Sequence, residues 1–204
     1  MPENLSDNTS LAEEAKKSSG NILRVEMKEA TSAMQRSAAR LFVSGISAGL
    51  DIGFSLLMIA VIRSFAADSL PPIILNIMVA LAYSFGFIIV ILGRSELFTE
   101  QTSLAVLPLF SGQATLVQVC RLWGIVYVSN IVGAALFALM AAWSFPQLVA
   151  VDARVLETIA KEVVSHSSPA ILTSAIFAGW LMGLLSWLVA ASRDKLFVAR
   201  RADG

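Results

Sequence analysis

The sequence predicts an all-α integral membrane protein, and three observations predict it. The chain has 204 residues, of which 56% are hydrophobic and only 15% charged, against roughly 25% charged in soluble domains. Its mean hydropathy is +0.73. Its apolar residues also gather into four runs, each long enough for the about 20 helical residues that cross a hydrocarbon core. A water-soluble fold of this size has no interior large enough to hide so much apolar surface, so lipid is the expected main solvent. Lysine plus arginine balance aspartate plus glutamate at 15 each, and no basic field marks the chain as a nucleic-acid binder.

The elements follow in order. Residues 1–40 form a polar leader expected on the cytoplasmic side. Positions 1 to about 20, rich in Ser, Glu, Asn and Lys, read as disordered. From Asn21 to Arg40, Ile22, Val25, Ala30, Ala33 and Met34 alternate with Arg24, Glu26, Lys28, Glu29 and Arg36, the pattern of an amphipathic helix on a membrane surface. The leader lacks the short apolar core of a cleaved signal peptide. The transmembrane region is 41–192, with spans at 41–62, 73–109 (interrupted near 93–100), 122–143 and 170–191. Ser167, Ser168 and Pro169 mark the start of the last. Residues 193–204 read as a cytoplasmic tail rather than the start of another span.

Basic residues set the orientation. Lys16, Lys17, Arg24, Lys28, Arg36 and Arg40 precede the first span, Arg121 lies between the second and third, and Arg193, Lys195, Arg200 and Arg201 follow the fourth. Arg63, Arg154 and Lys161 are their few counterparts in the other loops. Both termini are therefore expected in the cytoplasm. Residues 144–168 are expected outside, where Val151, Val155, Ile159 and Val163 recur every four residues as in a small surface helix. The lone Cys120 has no disulfide partner and is expected at the lipid-facing start of a helix, and His166 is expected in the external loop.

Several residues inside the apolar runs invite a functional reading. Gly45, Gly49 and Gly53 form a flat stripe on the first span, with a shorter version at Gly179 and Gly183 on the fourth. Such stripes let helix backbones approach closely and can also line a pore. Asp51 lies within the first span, where a charge costs about 2.5–3.5 kcal/mol and must face protein or water. It is either ionised and paired, with Arg94 as the partner, or protonated and acting as a relay or gate. The segment Gly93-Arg94-Ser95-Glu96-Leu97-Phe98-Thr99-Glu100-Gln101-Thr102 puts charge inside a region that is otherwise apolar from Ile73 to Phe110. It is either a loop between spans or a break inside one. Broken helices at membrane depth are tolerated where they line a cavity, and their free N–H groups attract anions. No phosphate-binding loop, metal-spaced Cys/His set or nucleophile–base pair is present. Neither enzymatic chemistry, a metal nor a cofactor is expected.

Glu96-Leu97-Phe98-Thr99 resembles the signature of the formate/nitrite transporter family. Tyr83-Ser-Phe-Gly-Phe87, Asn130-Ile-Val-Gly133-Ala and Ile176-Phe-Ala-Gly179-Trp-Leu-Met-Gly-Leu-Leu-Ser-Trp187 resemble three further family segments, so the likeness runs from about Met34 to Asp194. The resemblance implies an aquaporin-like helical bundle whose second helix is broken at the signature. It also implies a homopentamer in the bacterial cytoplasmic (inner) membrane and transport of small anions such as formate or nitrite, channel-like or proton-linked. By position, Leu97 and Phe98 would form a constriction, Thr99 would offer a hydroxyl to the anion, and Tyr83, Phe87 and Met182 would narrow the pore. Asp51, Arg94, Glu96 and Glu100 are the gating or ion-pair candidates.

The sequence also departs from the family pattern. Arg94 stands where a small residue is usual, Glu100 where Gly or Ser is frequent, and Gly179 where the fourth helix carries Asn. Lys161 is only the nearest match to an external lysine. The family's six spans form two inverted halves, and this chain stops after the fourth, without the pore histidine of the fifth, so the second half-repeat is expected to be incomplete. Three functions stay open: anion transport, a shortened relative that does not transport, and transport of a different small solute favoured by the extra charges.

Overall fold

A computed structural model describes residues 4–148 and 151–202, with side chains described for 19–148 and 151–192. The described residues form helices and connections only: α1 (Asn4–Gln35), α2 (Ala38–Ala66), α3 (Pro72–Gly93), α4 (Phe98–Leu104), α5 (Val106–Phe110), α6 (Leu116–Leu148), α7 (Ala153–Val164) and α8 (Ser168–Ala202). Four are long and apolar enough to cross a membrane: α2, α3, α6 and Ser168–Ser192 of α8. The protein is an all-α, multi-pass membrane protein.

Helices α2, α6 and α8 run past the stretches 41–62, 122–143 and 170–191, because hydropathy marks the apolar stretch while backbone hydrogen bonds continue into the flanks. The N-terminal segment differs more. In place of a disordered stretch and a short helix, α1 runs unbroken from Asn4, as suits Ala-Glu-Glu-Ala-Lys-Lys at 12–17, all good helix formers. Its buried stripe is Ile22, Glu26, Ala30, Ala33 and Met34. Burial, with Glu29 adding to it, holds the Glu26 carboxyl above the ordinary carboxylate range.

The chain divides into two compact units. The first comprises α1, Thr99–Cys120 and the chain from Ile176. Within it α1 packs on α5, and α4 meets α8 where the Ser103 hydroxyl donates to the Gly179 carbonyl at 3.3 Å. The second comprises Arg36–Phe98 and Arg121–Ala175, with α2 against α3 and α6.

The seam between α2 and α6 is set by glycine. A Cβ on Gly49 would stand 2.8 Å from the Ala134 nitrogen and 2.9 Å from the Gly133 Cα, too close for any side chain. Gly133 is equally closed by the backbone at Ile46. The stripe on α2 is thus a helix contact. On α8 it is not filled in the same way: a Cβ on Gly179 would meet nothing within 4 Å, and one on Gly183 only Ser103 at ordinary distance.

The surface helix expected from the four-residue recurrence is α7. Asp152 caps it, its Oδ1 accepting from the Arg154 N–H at 2.8 Å. Val151, just before the helix, closes a small core with Ala60, Ala141 and Phe145, against which Leu156 and Ile159 pack. Arg63 at the end of α2 pairs with Glu162 of α7 at 2.8 Å, and this hydrogen bond holds the Glu162 carboxyl below its usual range. His166 is exposed between α7 and α8, and Cys120 is exposed in the opening turns of α6.

Candidate functional site

Helix α3 ends at Gly93, residues 94–97 are not helical, and α4 begins at Phe98. Arg94 makes the stop. Its φ of 55° is left-handed, the only such value at a non-glycine among the described residues, and its N–H bonds back to the Val90 carbonyl. The Ser95 N–H shares that acceptor at 3.1 Å. A left-handed turn is a common end of a helix but favours glycine, and a residue with a Cβ there costs roughly 1–2 kcal/mol. This gives a physical reason for a small residue at the position and makes Arg94 a strained one.

The break leaves backbone polar groups outside any helical ladder, and each costs about 1–3 kcal/mol if buried and unpaired. Side chains of the second unit meet them. The Ser44 hydroxyl of α2 accepts from the Glu96 N–H at 3.0 Å. Asn130 of α6 does most: its Oδ1 accepts from the Phe98 N–H at 2.8 Å, and its Nδ2 donates to the Glu96 carbonyl and to the Gly45 carbonyl of α2, both at 2.9 Å. One amide thereby ties the break to α2 and α6. Farther along α2, Ser55 donates to the Tyr83 carbonyl at 2.7 Å and accepts from the Gly86 N–H at 2.8 Å, fixing α3 against α2.

The charges fall differently from the expected pairing. Asp51 accepts from the Ser95 hydroxyl at 2.9 Å. The pairing of Asp51 with Arg94 is not formed, and Arg94 makes no ion pair among the described residues. The left-handed turn leaves Arg94 exposed and brings Ser95, a buried residue, to the carboxylate. Glu96, also buried, is paired with Arg36 in the link between α1 and α2, and Arg121 at the start of α6 donates to the Arg36 carbonyl at 3.3 Å. Glu100 is half-buried in the first turn of α4, where an acid suits the positive helix end.

Of the pore candidates, Leu97 is buried, and Phe98 is half-buried with its ring edge-on to Tyr127 at 5.1 Å. Tyr83 and Phe87 touch at 5.6 Å, with Tyr83 largely exposed. These four belong to the second unit, whereas Thr99 and the buried Met182 belong to the first. The Thr99 hydroxyl is buried and has no hydrogen-bond partner among the described residues. A buried hydroxyl left without a partner carries a desolvation cost of about 1–3 kcal/mol. Among the described residues, no three His, Cys, Asp or Glu side chains gather as metal ligands.

The family model described as formate/nitrite transporter matches residues 21–199, nearly the whole chain. The chain belongs to that family. The family is one of channels and transporters, not enzymes. The inner membrane protein YfdC of Escherichia coli (strain K12) is 34% identical over 172 residues, which cover 81% of this chain and 53% of the relative. The formate channel FocA of Haemophilus influenzae is 28% identical over 163 residues, 77% of this chain and 56% of FocA. The nitrite transporter NirC of Salmonella typhimurium is 23% identical over 147 residues, 72% of this chain and 53% of NirC. The chain thus spans about half the length of the curated relatives it matches.

Sequence reasoning gave Asn130 no role, although it stands in a quoted motif, and passed over Arg36, Ser44 and Ser55. The available signal was an uncharged one. An amide inside the apolar run 122–143 has the same need for a polar partner as Asp51, at a lower cost that drew less notice.

Proposed function

We propose that the chain takes part in transporting small monovalent anions, of the formate or nitrite kind, across the bacterial inner membrane, with the helix break as the selective element. The observation that carries this reading is the buried Thr99 hydroxyl without a partner, at the end of a break whose other polar groups are held by Asn130, Ser44 and Asp51. A donor withheld from every internal acceptor is available to a passing anion. By family resemblance Leu97 and Phe98 are the constriction residues, and Tyr83, Phe87 and Met182 are the other pore residues. Asp51 and Glu96, with Arg94 and Glu100 at the break, set the field that the anion meets. Support at the family level comes from the match over residues 21–199 and from relatives named as a nitrite transporter and a formate channel. Both termini face the cytoplasm in this reading, from the basic flanks, and protomers assemble as a homopentamer, from family resemblance.

The test is formate and nitrite uptake into liposomes holding the purified chain, with Thr99→Ala and Phe98→Ala beside it and an imposed pH gradient to read proton linkage. Flux above empty liposomes that falls about ten-fold with Thr99→Ala supports the reading. Coverage of about half of each relative favours a second one, in which this segment supplies the break and its frame but conducts nothing by itself. A folded chain without flux for any small anion would decide for the second.

A further inference from the structure

Away from the break, the first unit has an open groove of about 1030 Å³ between α1 and the end of α5 with the turn after it. That is near the upper end of the roughly 300–1,000 Å³ in which ligand pockets fall. On the α1 side it is lined by Arg24 and Lys28, one turn apart, and by Thr31 and Gln35 farther along the same face. Leu107 and Phe110 form the facing wall. Among the described residues no carboxylate lines it, and neither Arg24 nor Lys28 forms an ion pair. The Arg24 guanidinium donates to the Asn21 amide oxygen at 3.1 Å, a neutral acceptor that does not offset its charge. Phe110 is 87% exposed, and Leu23 and Met27 add apolar surface beside the cations.

We infer that this groove binds an anionic phospholipid, its phosphodiester between Arg24 and Lys28 and the first methylenes of its acyl chains along Leu107 and Phe110. Charge complementarity and amphipathic walls together select this occupant. A soluble anion would satisfy the two cations and leave the apolar wall in water, while a zwitterionic lipid would cover the wall and bring a cation to two others. The cations stand about 6 Å apart along the helix axis, from a rise of about 1.5 Å per residue, a spacing that one phosphate can bridge. The Thr31 hydroxyl is engaged with the Met27 carbonyl at 2.8 Å, so the long, flexible Gln35 side chain is the better neutral donor to the headgroup. The bound lipid would fix α1 and α5 together, and this role is separate from the break.

Lipid retention on the purified, delipidated chain in a neutral detergent tests this, read by native mass spectrometry with no flux measured, so its failure is distinct from failure of transport. The probes are phosphatidylglycerol and phosphatidylcholine with identical acyl chains, supplied together, and glycerol phosphate as a soluble competitor. The chain is expected to retain phosphatidylglycerol in clear excess. Arg24→Gln and Lys28→Gln are each expected to reduce that preference about five-fold, the worth of one basic residue near an anionic lipid. Arg24→Lys keeps it, which separates loss of charge from loss of fold. Phe110→Ala lowers retention of both lipids together. Equal retention of the two lipids by the unchanged chain overturns the inference, as does an undiminished preference in the double Gln variant. Displacement by glycerol phosphate at lipid-like concentration would instead make the groove a soluble-phosphate site and also overturns it.

Discussion

The glycine stripes of α2 and α8 look alike in sequence and behave differently in the fold. Gly45, Gly49 and Gly53 of α2 are closed by Ser129, Asn130, Gly133, Ala134 and Phe137 of α6, whereas Gly179 faces open space and Gly183 only a serine. The difference lies in the partner. Helix α6 answers with its own Gly133, so backbone meets backbone, and the same approach brings Asn130 within reach of the break. A small-residue stripe therefore states what a helix permits, and the complementary stripe decides whether the contact forms.

The sharpest way to break this comparison is to fill the seam. Gly49→Leu has no room to relax against backbone and is expected to destabilise the chain by about 3 kcal/mol or to prevent its folding, read as a melting temperature lower by roughly 10 °C in detergent. Asn130→Leu comes next. It leaves the Phe98 N–H and two carbonyls without their partner, at about 1–3 kcal/mol for each group that stays buried, and flux should fall with it. Asn130→Asp keeps the acceptor for Phe98 but loses both donors, so it should lie between the two. Thr99→Val tests the opposite case, a polar group with no internal partner. Stability should hold or rise by up to about 1 kcal/mol while anion flux drops about ten-fold. If Thr99→Val destabilises instead, the hydroxyl has an internal role and the proposed filter loses its main support.

The smaller effects sharpen the contrast. Gly179→Ala, the counterpart of the seam substitution, is expected to stabilise α8 by about 0.5–1 kcal/mol through helix propensity alone, read by thermal unfolding. Any loss there would mean that a partner occupies the open face. Glu26→Gln addresses the buried carboxyl of α1. Its folded-state pKa is raised above the usual 4.5, so ionisation at neutral pH works against folding. The amide should therefore raise the melting temperature at pH 7. Its advantage should shrink as pH falls through the raised value and disappear below the ordinary carboxylate range.

Much of the fold was legible in the sequence because its determinants are local. Lipid imposes a length and a composition on each crossing, and α2, α3, α6 and α8 carry both. The recurrence at Val155, Ile159 and Val163 marked α7, and the charges around Arg94 and Glu96 marked a point where α3 had to stop. What was not legible depends on groups far apart in the chain. Asp51 meets Ser95 rather than Arg94 because of one left-handed residue, which no periodicity announces. Asn130 finds Gly45 and Glu96 only once α2 and α6 have closed. Arg36, read as part of an amphipathic leader, is drawn to Glu96 by the turn between α1 and α2.

The Asn130 clamp has a consequence for how the protein meets acid. Its three bonds join an amide to backbone N–H and carbonyl groups, and none of these gains or loses a proton between mild acid and mild base. The frame of the break therefore keeps its shape as the surroundings acidify. The carboxylates fastened to that frame are Asp51, through Ser95, and Glu96, through Arg36. The support of the break is thus separate, residue by residue, from the charged groups attached to it.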